Sequence, residues 1–293
     1  MNRNRTIGIE CELTGIPKSE AVELLRQYMK ASRYEETRRN NAVRRYSVKD
    51  DEDRSWTIVH DSSIEPKRTY RSKETTDAYR VELVSPLMTW NDLDTLNGIL
   101  YEFADHGATT TKTCGIHVHI DISDFDATDI RRLCNYYFYR EYFLYKVLNV
   151  HNERAEYCLP TNEFFINRIG RIRRPTMNDL RSDWYWIYRD EKDLFGETRY
   201  HSSRYHGLNL HSLWRGKGVE FRLFNGTLDG NLVKSYLTLD LCMIDAVKEK
   251  RACRRSNRNE FPDNKAICRW LNQLGISSTE NAVAWNNLTS APD

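Results

Sequence analysis

The sequence predicts an α+β fold, a single domain on a largely antiparallel β-sheet, and three observations carry that expectation. Several segments alternate apolar and polar residues as half-buried strands do. Others repeat apolar residues at helical spacing, and no internal repeat, low-complexity tract or long linker separates the two kinds. Residues 6–13 alternate as a first strand, and 19–29 follow as a helix after the start signal Pro17. Residues 34–54 are dense in charge of both signs. Segments 56–59 and 79–84 read as strands bracketing a polar loop, 61–77, a candidate mobile lid. A helix is expected over 93–103, an alternating strand over 115–122, and a long aromatic-rich helix over 126–148 with Ser123 or Asp126 near its N-cap. Arg, Trp and Tyr dominate 152–201, where irregular structure with short helices is expected. Strands return at 205–211 and 218–224, a helix at 232–250, and the last residues read as helical and then loose.

Composition narrows the class of molecule. The chain has 293 residues, 40% hydrophobic and 29% charged, which suits a globular protein with an ionic surface and excludes global disorder. The longest mostly apolar stretch, near 237–247, is broken by Asp240 and Asp245, so nothing supplies the roughly 20 apolar residues of a membrane span. The opening residues show no signal-peptide pattern, and a cytoplasmic location is expected. Seven scattered cysteines without a CxxC pair argue against a disulfide framework or a zinc ribbon. A net charge of +2 implies neither nucleic acid nor membrane as a partner.

The strands carry the residues with chemistry. Glu10 and Glu12 lie on one face of the first strand, with Ile9, Cys11 and Leu13 on the other. Two carboxylates turned inward need neutralising, and a divalent cation with oxygen ligands would do it; turned outward, they are an ordinary polar face. His117, His119 and Asp121 share a strand face in the same way, which suits metal or phosphate work. Arg80 with Glu82, and Glu220 with Arg222, repeat the spacing; each pair alone could be a surface ion pair. Four strands with ionisable residues at period two, backed by apolar alternation, predict a sheet with one greasy face and one acidic, metal-binding face.

Taken in order, GIECE, RVELVSP, CGIHVHID, RYHGLNL and GVEFRLFNGTL resemble the amidoligase family of the glutamine synthetase and glutamate–cysteine ligase superfamily, over about residues 6–228. The resemblance implies a curved half-barrel sheet with helices on its convex face, a concave face that holds Mg²⁺ or Mn²⁺, ATP and an acyl substrate, and a helical C-terminal segment over 230–293 within the same domain. It implies Glu10, Glu12, Glu82, His117 and Glu220 as metal ligands, His119 facing substrate or phosphate, and Arg222 contacting the transferred phosphoryl group. Arg204 and Asn209 fall where nucleotide or substrate would be touched. Asp61 lies in a motif usually written with Gly after the Asp, where Ser62 stands, and it is left outside the metal set with Glu74 and Asp77. The activity implied is an ATP-dependent carboxylate–amine ligase that forms an amide through an acyl phosphate. Its partners would be an amino-acid, peptide or protein carboxylate and an amine, selected by loops 61–77 and 152–201.

Two other readings compete. A zinc hydrolase would use His117, His119 and Asp121, leaving Glu10, Glu12 and Arg222 without a task. A non-catalytic RNA-binding module would use the Arg-rich segments 38–45, 168–174 and 251–258, though such runs are usually solvated faces. No P-loop is present. The aromatic run CNYYFYREYFLY and Cys114 read as packing; His60, His106, His151, His201 and His206 read as structural, and His211 as either.

Overall fold

An open, curved antiparallel sheet of eight strands lies at the centre of the computed structural model, which describes residues 1–39, 42–68, 73–189, 198–250 and 263–290. In chain order the elements are β1 (Ile7–Leu13), α1 (Lys18–Tyr28), β2 (Glu35–Arg39), β3 (Ala42–Lys49), β4 (Ser55–Val59), β5 (Val81–Val84), α2 (Leu93–Asp105), β6 (Gly115–Ile120) and α3 (Ala127–Val147). They continue as α4 (Glu163–Arg171), α5 (Met177–Trp186), β7 (Leu208–Asn209), α6 (His211–Trp214), β8 (Val219–Asn225), α7 (Gly230–Lys248), α8 (Asn264–Leu274) and α9 (Ala282–Thr289). Across the sheet the order is β2-β3-β4-β5-β1-β6-β8-β7.

Period-two alternation makes the sheet two-faced. Ile7, Ile9, Cys11 and Leu13 of β1, Val81 and Leu83 of β5, and Ile116, Val118 and Ile120 of β6 are buried against a layer of helices on the convex side. Leu96, Ile99, Leu100 and Phe103 of α2 and Val233, Leu237 and Leu241 of α7 complete that core. Each such side chain contributes about 1.5–3 kcal/mol by leaving water. The polar residues between them are thereby turned to the concave side. One β-bulge tunes that side: between Ile116 and Val118 the register with β8 shifts, so His117 stands against both Arg222 and Leu223. Gly218, at φ 73°, admits the chain into β8, since a Cβ there would lie 2.2 Å from the Ile120 carbonyl oxygen.

Most of the expected elements are present, with Asp126 rather than Ser123 capping α3 by accepting from the Asp129 amide at 2.8 Å. Two expected strands are shorter, and one segment read only for its charge holds strands. Residues 34–54 hold the edge strand β2 and its neighbour β3, whose charged side chains hide the period. Tyr79 belongs to a 3₁₀ turn (Thr76–Tyr79), leaving β5 shorter than expected. The strand expected over 205–211 shrinks to the two residues of β7, because Ser202–Tyr205 form a 3₁₀ turn and α6 begins at His211, whose amide donates to Asn209 Oδ1 at 2.8 Å. Among the described residues no helix is long and apolar enough to cross a membrane.

Candidate active site

Register brings the acids together. In the antiparallel ladders Glu12 stands opposite Glu82, Glu10 opposite His117, and His119 opposite Glu220. Opposed residues share a face, so segments far apart in sequence deliver six carboxylate and imidazole groups to one surface, with Asn209 added from β7 opposite Glu220. Glu12, Glu82, His117, Glu220, Arg222 and Asn209 are all buried, and Glu10 is half-buried at the cleft. His117 Nδ1 lies 3.1 Å from Glu10 Oε2, His119 Nε2 3.3 Å from Glu10 Oε1, and His117 Nε2 3.7 Å from Glu12 Oε1. Arg222 pairs with Glu220 Oε1 along the same strand, and Asn209 Nδ2 donates to Glu220 Oε2 at 2.6 Å. His119 Nδ1 sits 3.2 Å from Ser212 Oγ.

Burial sets these groups against one another. Burial raises the Glu10 carboxyl, but hydrogen bonds to His117 and His119 outweigh it and hold Glu10 well below the ordinary carboxylate value. Burial is likewise overcome at Glu220, where Arg222 and His119 hold the carboxyl down at about 2. Glu82 goes the other way: burial and the charges of Glu10, Asp61 and Glu12 push it well above the ordinary value. Glu12 is also raised, by burial against partial compensation from His117 and Arg154. The floor thus has more carboxylates than its cations neutralise, and the deficit is centred on Glu82. Three trios of ligand atoms each lie within 4.8 Å of one another: Glu10, Glu82 and His117; Glu10, His119 and Glu220; and Glu12, Asp61 and Glu82.

The family model described as "Putative amidoligase enzyme" matches residues 3–244, which include every strand of this sheet. The chain belongs to the amidoligase family. No curated protein matches it.

In this amidoligase the acidic floor opens into a cleft of about 900 Å³ lined by Glu10, Asp61, Glu82, Arg222, and walls from two directions. One wall carries Thr37, Arg38 and Arg45 of the β2–β3 hairpin; the other carries Arg199, Tyr200, Arg204 and Tyr205. A smaller cavity of about 50 Å³ adjoins it at Glu10, Arg199 and Arg204 and reaches His119, Asn209, Ser212, Arg215, Lys217 and Glu220. The nine residues that the sequence singled out as metal, catalytic or nucleotide groups therefore meet here, Arg204 on the wall and the others on or beside the floor.

Two groups of the amidoligase site escape sequence reasoning. Asp61 lies beside Glu12 and Glu82, its Oδ1 accepting from the Ser63 amide at 2.7 Å and from Ser63 Oγ at 2.6 Å. These bonds hold its carboxyl below the ordinary value against the effect of burial, and they make the turn that a following glycine would have made. Arg154, from the 3₁₀ turn (Asn152–Arg154) after α3, is 1% exposed; its Nη2 donates to the Arg222 carbonyl at 2.6 Å and its Nη1 stands 3.8 Å from Glu12 Oε2. Glu12 Oε2 also accepts from the Gly115 amide at 2.7 Å. Of the other candidates, Asp77 and Glu74 are exposed, paired with Arg80 and Ser19. Asp121 is exposed beyond the end of β6 and accepts from the Ser123 amide and hydroxyl at 3.0 Å, so it does not join His117 and His119 as a zinc trio. His201 and His211 stack within a buried aromatic cluster, with Tyr185 Oη 2.7 Å from His211 Nδ1, and burial and His201 push His211 down to about 4. Segment 251–258 and residues 69–72 and 190–197 lie outside the described residues.

Proposed function

We propose that this amidoligase is an ATP- and Mg²⁺-dependent carboxylate–amine ligase. The observation that carries the reading is the convergence of Glu10, Glu12, Asp61, Glu82, His117, His119 and Glu220 with Arg222 on one concave floor, open to a cleft large enough for two reactants. The acid excess at Glu82 fits a divalent cation: Glu12, Asp61 and Glu82 would hold one and Glu10, His119 and Glu220 another, with Mn²⁺ an alternative to Mg²⁺. Such an ion, when bound, supplies neutralisation of the phosphate oxygens.

The chemistry needs little covalent help from the chain. A substrate carboxylate oxygen attacks the γ-phosphorus of ATP, the bond to the bridging oxygen breaks, and ADP leaves. The nitrogen of an amine then attacks the acyl carbon, the carbon–oxygen bond to phosphate breaks, and inorganic phosphate and a proton leave. Arg222, fixed by Glu220 and by the strand, presents a guanidinium to the transferred phosphoryl group without reorganising. Arg204 on the cleft wall suits the remaining phosphates, and Asn209 fixes Glu220 from the neighbouring strand. The acyl component is an amino acid, peptide or protein carboxylate.

The test is calorimetric titration of a non-hydrolysable ATP analogue with Mg²⁺ into the wild type and into Glu10→Gln/Glu12→Gln. Metal-dependent binding that the variant loses is expected. A folded wild type that binds no nucleotide overturns the reading.

A further inference from the structure

The register of the sheet draws a line from the acidic floor to the outer wall of the cleft. Glu12 stands opposite Glu82, Glu82 opposite Val59, Val59 opposite Arg45, and Arg45 opposite Thr37. All five share the concave face, because directly opposed residues of antiparallel strands do. Tyr46 and Val48 on β3, between these positions, turn to the core instead. Strands lie about 4.8 Å apart, so Arg45 rises about 10 Å from Glu82 on the same surface. Where Thr37 pairs with Arg45 and Arg38 with Val43, Arg44 is the extra residue of a bulge in β3, and Thr37, Arg38 and Arg44 line the cleft beside Arg45.

Charge is distributed unevenly over this cleft. Its acids, Glu10, Asp61 and Glu82, are on or beside the floor, where they face one another. The hairpin wall adds Arg38, Arg44 and Arg45 and no acid among its lining residues. Arg38 pairs at 2.5 Å with Glu36 in an exposed, solvent-screened contact, and Arg45 is exposed and makes no ion pair among the described residues. Arg199 and Arg204 supply cations on the opposite wall, so the nucleotide phosphates do not need the hairpin. A protonated amine is repelled by it, and a simple monocarboxylate, engaged at the floor, leaves it unmatched.

We infer that the acyl substrate is an acidic peptide, held by a second carboxylate at Arg38 and Arg45 while its reacting carboxylate lies over the floor. The inference rests on the ligase reading and names its acyl substrate class. The span of about 10 Å corresponds to about three residues of extended peptide. Guanidinium–carboxylate forks at that wall would fix the peptide's direction along the β-sheet rows, and the cationic rim would draw it in.

The probes are fluorescently labelled triglutamate and triglutamine peptides, titrated by anisotropy into the wild type and Arg38→Gln/Arg45→Gln at low salt, with the thermal midpoint of each protein recorded. The wild type is expected to favour triglutamate about tenfold or more, and the variant to lose that preference while retaining its midpoint and its affinity for the ATP analogue. Equal binding of the two peptides by the wild type, or a preference that survives in the folded variant, overturns the inference. So does loss of the nucleotide analogue in place of the peptide, which would give the hairpin to ATP. A labelled single-stranded RNA that binds more tightly than triglutamate and depends on the same two arginines also overturns it. A wild type that selects triglutamate through them but binds no nucleotide retains the acidic-peptide site and removes the ligase reading. Nucleotide binding without peptide selection does the reverse.

Discussion

Gly115→Ala is expected to be among the most damaging single-methyl additions in the sheet. A Cβ at Gly115 would lie 1.7 Å from Arg154 Nη1, 2.3 Å from its Cζ and 2.4 Å from its Nη2, far inside contact distance. The guanidinium ends a long side chain, but it is buried and tied to the Arg222 carbonyl at 2.6 Å, and it stands beside Glu12. Moving it strips a charged donor from a buried carbonyl and a countercharge from a buried carboxylate. Breaking a buried pair in this way costs about 3–5 kcal/mol. Urea unfolding of the wild type, Gly115→Ala, Arg154→Ala and the double variant resolves the cause. Once Arg154 is gone the clash is gone, so Gly115→Ala should then cost under about 1 kcal/mol, giving a coupling of about 2 kcal/mol or more. A single-variant cost under about 1 kcal/mol, or additive costs, would refute the steric argument.

Three further outcomes are expected. Asp240 on α7 is buried with neither carboxylate oxygen hydrogen-bonded among the described residues, and burial raises its carboxyl well above the ordinary value. Its folded form therefore favours the proton: stability is intact below the ordinary carboxylate pKa and falls as pH rises toward the raised value. Asp240→Asn should stabilise the fold more at about pH 7 than at about pH 5, by up to about 2.7 kcal/mol in urea unfolding; a gain independent of pH contradicts this. Asp61→Asn should weaken Mn²⁺ binding about tenfold in calorimetry, and unchanged affinity would remove Asp61 from the ligand set. Asp121→Ala should leave Mn²⁺ affinity within about twofold, since a larger loss would restore the HxHxD strand as a metal trio.

The parts of this fold that are readable from sequence are those with two different environments. On β1 and β6 one face is core and the other is the site, so Ile9 and Cys11 alternate visibly with Glu10 and Glu12, and Ile116 and Val118 with His117 and His119. The β2–β3 hairpin gives no such signal because water and charge reach its edge; Glu35–Arg39 contains no large apolar residue to mark a buried face. Asn209 is found through its motif although the strand around it is two residues long. Asp61 is left outside the metal set with Ser62 standing where its motif usually has Gly, whereas in the structure Ser63 makes the turn. Arg154 has no sequence signal of its own: it is one arginine among many, in a segment without periodicity, and its place is set by Gly115 and by the Arg222 carbonyl.

The sheet's β1 has neighbours that arrive late in the chain. β1 pairs with β5 on one side and β6 on the other, at Glu12↔Glu82 and Glu10↔His117, and Glu220 arrives only with β8. On a growing chain Glu10 and Glu12 therefore remain hydrated until about residue 120 has emerged, and the partners Arg222 and Glu220 are a further hundred residues away. Dehydrating these carboxylates is thus tied to closing long-range ladders, the slow step in antiparallel topologies. A chain shortened before Val219 would retain the acids of β1 and β5 without the arginine strand that offsets them. Until β8 pairs with β6, the carboxylates of β1 and β5 lack the Arg222 guanidinium that completes the floor.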